Sequence, residues 1–167
     1  METKTITEEL KSFALPSWKE IPDVGLYLDQ VTKYINSFLD AYGMGVTPSM
    51  ISNYVKLKII SREGKKIYSR ERIAALIFVA VTKTVLSMDQ IRDILAAAKE
   101  KVSEEKWYTD FVTSLKKRLD EFEVSERIPH PETGKAESIQ EMITAAVAYK
   151  IYLDTYFRRH HDEGTME

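Results

Sequence analysis

The apolar positions of this chain fall mostly at helical spacing. Leu28, Val31, Ile35, Phe38 and Leu39 lie on one face and predict a helix over 28–41. Gly43 and Gly45 should close it, since glycine readily takes the left-handed conformation past a helix end. A shorter helix is predicted from Thr47 and Pro48, a hydroxyl N-cap followed by proline at the first helical position. Its apolar positions Met50, Ile51, Tyr54 and Val55 should face inward, leaving Ser49, Ser52, Asn53 and Lys56 outward. The next helix begins at Ser69. Ile73, Ala74, Leu76, Ile77, Val79, Ala80, Val81, Val85 and Leu86 leave few polar positions, so it should be buried on most sides. Ser87 and Gln90 have capping-box spacing and open a helix through Ile91, Ile94 and Leu95.

The two ends of the chain also read as helical. Thr5 and Glu8 have capping-box spacing ahead of a short stripe of Ile6, Leu10 and Phe13, which Pro16 ends. Residues 15–22 are too rich in proline for a regular element, and Trp18 and Ile21 are expected to lie over the core as a strap. From Ser103 to Phe122, the residues Trp107, Phe111, Leu115, Leu119 and Phe122 make a long amphipathic helix, flanked by Tyr108 and Val112. Residues 124–135 read as a loop. Ser138 and Glu141 suggest the cap of a final helix, and Arg158 to Glu163 read as a frayed polar tail.

The one break in the helical pattern lies between Ile60 and Tyr68. Gly64 supplies a turn, and the flanks are expected to pair as a small hairpin resting on Ile59, Ile60 and Ile67. Arg62, Lys65 and Lys66 stand at its tip. The fold class is therefore mainly α, with a small β-hairpin and C-terminal helices. Three regions are expected: an arm over 1–27, a head over 28–100, and a C-terminal helical region over 101–167.

Charge changes this picture locally. The net charge is −2, yet Lys56 to Arg72 carries seven basic side chains against two acidic ones. With a Debye length of about 8 Å, such a local excess matters more to a phosphate backbone than the total does. No apolar run approaches the roughly 18 residues that a membrane span needs. The residues after Met1 lack the pattern of a secretory leader, and cysteine is absent, so a cytoplasmic location is expected. His130, His160 and His161 form no metal-binding or catalytic spacing. There is no Walker lysine, HExxH or GxSxG pattern, so neither an enzyme nor a bound cofactor or metal is expected.

Four runs carry a resemblance: Thr47-Pro48-Ser49; Tyr54 followed by Ile59 and Ile60; Lys66-Ile67-Tyr68-Ser69; and Leu86 to Leu95 with its Ser87, Ile91 and Leu95. In order and gap they resemble the winged helix-turn-helix head of MerR-type transcription regulators. The resemblance implies a recognition helix at 47–57, a basic wing at 61–68 and double-stranded DNA as partner. The implied contacts are Thr47, Ser49, Ser52, Asn53 and Lys56 from the helix, Arg62, Lys65, Lys66 and Tyr68 from the wing, and Lys58 and Arg70 beside them. Residues 15–22 with Leu26 to Gln30 also resemble the opening of an uncharacterised bacterial domain family that has a MerR-like head. Two features depart from the MerR pattern. An arginine followed by a tyrosine pair is usual there, whereas Ser52, Asn53 and Tyr54 stand at those positions, and Val55 replaces the usual glutamate. MerR dimers also use one long coiled-coil helix, whereas this chain has two C-terminal helices without a sustained heptad. Those helices are expected to serve a homodimer or signal input, and no effector is implied. The alternative is a non-catalytic adaptor that keeps the fold without binding DNA.

Overall fold

The computed structural model describes residues 6–61, 66–121 and 136–162. Among these the chain is mainly α-helical, with α1 (Ile6–Ser12), α2 (Leu28–Leu39), α3 (Pro48–Lys56), α4 (Arg70–Thr82), α5 (Met88–Lys101), α6 (Glu104–Glu121) and α7 (Ala136–Asp162). No described helix is long and apolar enough to cross a membrane. The chain divides into two compact units, one of residues 15–110 and one of residues 1–14 with 111–167.

In the unit of residues 15–110, α4 is the central element. Every residue from Leu76 to Thr82 is buried, as are Ile73 and Ala74. Few positions remain for solvent, as its composition implies, while Val85 and Leu86 lie past its end and are only half-buried. Phe78 packs edge-on against Trp107, with ring centroids 4.7 Å apart. Such packing adds to what area burial alone supplies. The expected caps at Thr47, Ser69 and Ser87 are in place. Ser87 Oγ accepts from the Gln90 amide at 3.2 Å, and the Gln90 side chain accepts from the Ser87 amide at 2.9 Å. Helix α2 ends at Leu39, two residues before the expected limit, and tightens into a 3₁₀ turn over Asp40–Tyr42.

Residues 15–27 form the strap. It contains a 3₁₀ turn at Trp18–Glu20, fixed by the Ser17 amide donating to Glu20 Oε2 at 2.6 Å. Ile21 is buried, and Trp18 packs at a tilt on Tyr108 with centroids 6.1 Å apart. Tyr108, expected on the flank of its helix, is instead fully buried, and the expected anchor Trp107 is half-buried. The Tyr108 hydroxyl decides this, donating to the Pro16 carbonyl at 2.8 Å.

Burial pushes the Tyr108 phenol far above its ordinary value, and it raises those of Tyr34 and Tyr54 in the same direction. The folded state therefore keeps these protons above about pH 10, where the unfolded chain releases them. Stability is insensitive to these groups below that pH and falls as pH rises beyond it. Lys83 acts in the opposite sense, because burial lowers its value from 10.5. Stability gains from Lys83 as pH rises from that lowered value towards 10.5. Tyr108→Phe should cost about 1 kcal/mol near neutrality through the missing hydrogen bond. It should also flatten the alkaline decline, so urea midpoints of variant and parent converge above about pH 10. Parallel curves would contradict this assignment.

In the other unit α1 packs on α7. The last helix starts at Ala136, ahead of the expected Ser138 cap, and continues through Arg158 and Arg159 to Asp162. The expectation of a frayed tail from Arg158 is thus corrected. Its physical cause is Glu9 on α1, which pairs with Arg158 and accepts from Arg159 Nη2 at 2.8 Å. The Lys116 ammonium also donates to the Lys11 carbonyl at 3.2 Å, tying α1 to α6. The Thr5 end of the first expected cap and the loop over 124–135 with His130 lie outside the described residues.

Candidate nucleic-acid interface

Helix α3 starts as its sequence dictates. Thr47 Oγ1 accepts from the Met50 amide at 3.2 Å, and Pro48 opens the first turn. Ile51 and Tyr54 are buried, Met50 and Val55 half-buried. Ser49, Asn53 and Lys56, at helical spacing on the other side, are exposed, while Ser52 is half-buried. Thr47 is exposed too, with its hydroxyl engaged by the cap.

The approach to α3 is held from α2. Asn36 Nδ2 donates to the Val46 carbonyl at 2.8 Å, and the Val46 amide donates to Asn36 Oδ1 at 2.7 Å. Gly45 permits this, since a Cβ there would lie 2.6 Å from Asp40 Oδ1. Lys83 Nζ reaches the Gly45 carbonyl at 3.4 Å. After α3 the backbone reverses at Lys58, a non-glycine residue at φ 57°. The reversal lets the Ile59 and Ile60 amides both donate to the Tyr54 carbonyl, at 3.0 and 3.3 Å, and buries both side chains. The Lys58 side chain is left exposed.

The wing differs from expectation where it is described. Its tip, with Arg62, Gly64 and Lys65, lies outside the described residues. Tyr68 pairs with Leu26 of the strap in an isolated antiparallel bridge, through amide–carbonyl bonds of 2.8 and 3.0 Å. The flanks of the expected hairpin therefore do not pair with each other at this point, because the strap takes the hydrogen-bonding edge. Tyr68 is buried at 8% exposure, and the Arg72 guanidinium sits 4.4 Å from its ring centroid. Arg70 is likewise turned to the strap. Its Nε donates to the Ile21 carbonyl at 2.9 Å, it pairs with Asp23 at 3.8 Å, and it lies over the Trp18 ring. Tyr68 and Arg70 thus hold the strap rather than facing a phosphate. Lys66 is exposed.

Of the residues singled out from sequence, Ser49, Asn53 and Lys56 share one open helix face. Lys58 follows two residues beyond that face, and Lys66 adds a further exposed cation. The positioning roles of Asn36 and Arg72 are not apparent from local pattern. An asparagine inside a helical stretch and an arginine inside a basic run carry no mark of the backbone groups they will meet. Among the described residues no group of three or more His, Asp or Glu side chains is placed to hold a metal ion.

Residues 16–122 match the family described as Domain of unknown function (DUF1836). The chain belongs to this family. The DUF1836 match runs from the strap through α6 and so contains the whole α3 face and its supports, but not α7. No curated protein and no solved structure matches the chain.

Proposed function

We propose that this DUF1836 chain is a DNA-binding protein with a MerR-like winged helix-turn-helix head, acting as a transcriptional regulator. The single observation that supports this reading is the open face of α3, where Ser49, Asn53 and Lys56 project from a helix seated by Asn36. Asparagine suits an adenine edge in the major groove, and lysines suit phosphates. Lys56, Lys58 and Lys66 supply the phosphate contacts, taking over the role of the absent arginine at Ser52. Tyr68 and Arg70 are left out of this set. Arg62 and Lys65 remain in it on sequence grounds, and a homodimer through the C-terminal helices belongs to the same proposal.

Fluorescence anisotropy with duplex DNA across a salt series tests the reading. Removing one phosphate-binding cation should flatten the plot of log affinity against log salt by about 0.9. Lys56→Ala and Lys66→Ala should each do so. Lys58→Gly is the sharper arm. It removes a charge and also relieves left-handed strain of about 1 kcal/mol, so it should weaken DNA binding while raising the urea midpoint. Weaker binding in a more stable protein cannot be blamed on unfolding. An unchanged salt slope in all three variants would sink the proposed mode. A second reading, a protein-interaction adaptor, is favoured by Val24 at 86% and Tyr27 at 60% exposure, both large side chains in the strap. Val24→Ser with Tyr27→Ser should leave DNA affinity unchanged if the first reading holds.

A further inference from the structure

Leu57 caps the carboxyl end of α3 and is exposed, at 39%, with the exposed Lys56 before it and the exposed Lys58 after it. The apolar residues around it in the chain lie deeper. Tyr54, Ile59 and Ile60 are buried, and Val55 is half-buried. The backbone explains the difference. The Leu57 amide donates to the Asn53 carbonyl at 2.9 Å, so Leu57 still stands one helical turn beyond Asn53. Another helical residue would turn Lys58 inward, onto the face of Ile51 and Tyr54. The left-handed conformation of Lys58, at φ 57°, stops the helix first. It keeps both cations outside, and it sends Ile59 and Ile60 into the core while Leu57 stays out.

Ser49, Asn53 and Leu57 thus follow one another along α3 at intervals of one turn, with Lys56 and Lys58 on either side of the last. No acidic residue occurs from Thr47 to Lys58. The cations suit a phosphate backbone, and they leave an amide and a branched apolar group to meet the bases. Those two groups match what A·T pairs show in the major groove. Adenine offers N6 and N7 to an amide, and thymine adds a C5-methyl group that the other bases lack. The spacing agrees for a helix lying along the groove. Four helical residues advance about 6 Å, and each base pair about 3.4 Å.

We infer that α3 reads A·T pairs with Leu57 as well as Asn53, the Leu57 side chain packing on a thymine C5-methyl group within about two base steps of the adenine that Asn53 takes. The inference rests on the DNA-binding proposal and adds to it a base preference and a specificity-determining residue.

Fluorescence anisotropy at low salt tests it, with the full chain and two synthetic duplexes of equal length. One alternates dA and dT, the other dA and dU, so they differ by the thymine methyl group alone. Every register of an alternating duplex offers both bases, and no operator need be known. The chain should bind the dT duplex more tightly by about fourfold, the value of burying one methyl-sized carbon. Leu57→Ala should bring that ratio to about one and leave the salt dependence unchanged, because no cation is removed. Leu57→Met keeps an apolar side chain of similar volume and should retain the preference. Equal affinity of the parent for both duplexes, falling steeply with salt, would overturn the inference and leave the DNA-binding proposal in place. A preference that survives Leu57→Ala would do the same. Binding to neither duplex would remove both, since phosphate contacts alone hold a DNA-binding protein on any sequence at low salt.

Discussion

Phe78→Ala should destabilise the chain by about 3–5 kcal/mol, the range for removing a buried aromatic side chain from a packed core. Phe78 is 2% exposed on the most buried helix of its unit, with Leu76, Ile77 and Val79 to Val81 buried around it. Two terms add. The forfeited burial of the ring is one. The second is the cavity left behind, which α4 cannot close by shifting, since its neighbours on all sides are already buried. The edge-on packing against Trp107 disappears as well, so the drop in stability should come with altered tryptophan fluorescence in the native state. Phe78→Leu keeps most of the volume and should cost much less. Urea unfolding with an unchanged slope is the measurement. A drop below about 1 kcal/mol for the alanine variant would mean that the core around α4 is far more accommodating than its burial implies.

Asn36→Ala has the second largest expected effect, about 2 kcal/mol, because one deletion orphans two backbone groups. The Val46 amide and carbonyl both depend on the Asn36 side chain, and Val46 itself is buried. Asn36→Asp discriminates the cause. A carboxylate still accepts from the Val46 amide but turns its second oxygen on the Val46 carbonyl, and Asp40 stands beside the same turn near Gly45. The aspartate variant should therefore be no better than alanine near neutral pH, and it should recover on acidification as the carboxyl gains a proton and can donate. Under the DNA-binding proposal Asn36→Ala should also lower duplex affinity, although no side chain on the open face of α3 is altered. Full stability in Asn36→Ala would remove the clamp from the account of how α3 is seated.

Helix positions are legible in the sequence wherever local rules suffice. Thr47 with Pro48, Ser69, and Ser87 with Gln90 cap α3, α4 and α5 because a cap is built from residues three apart. The burial of α4 is equally plain, since a helix with apolar residues on every side has to lie inside. Ser49, Asn53 and Lys56 fall on an outward face for the same reason, by subtraction from Ile51 and Tyr54.

Local rules fail where a residue has to choose among distant partners. Tyr68 and Arg70 resemble wing residues because of the basic run around them. Their partners are Leu26 and Ile21, more than 40 residues earlier, and the strap carries no sign in its own sequence of which edge it will satisfy. Arg158 and Arg159 read as a polar tail, yet Glu9 lies about 150 residues away in the chain and holds the helix to its end. Tyr108 takes the buried place expected for Trp107 because its hydroxyl finds the Pro16 carbonyl, a partner 92 residues distant.

Spacing within a turn or two is thus enough to dictate a mainly helical chain, the starts of three of its helices, a central buried helix and a polar face on α3. Which cations remain exposed is set only when the chain is folded. The fold turns Arg70 and Tyr68 to the strap, leaves Lys56, Lys58 and Lys66 outside, and fixes Arg72 with a buried Nε facing no partner. The reason is that a charged side chain of several rotatable bonds takes its place from whichever backbone carbonyl or ring the fold brings near, and nothing in its immediate neighbours along the chain specifies that choice.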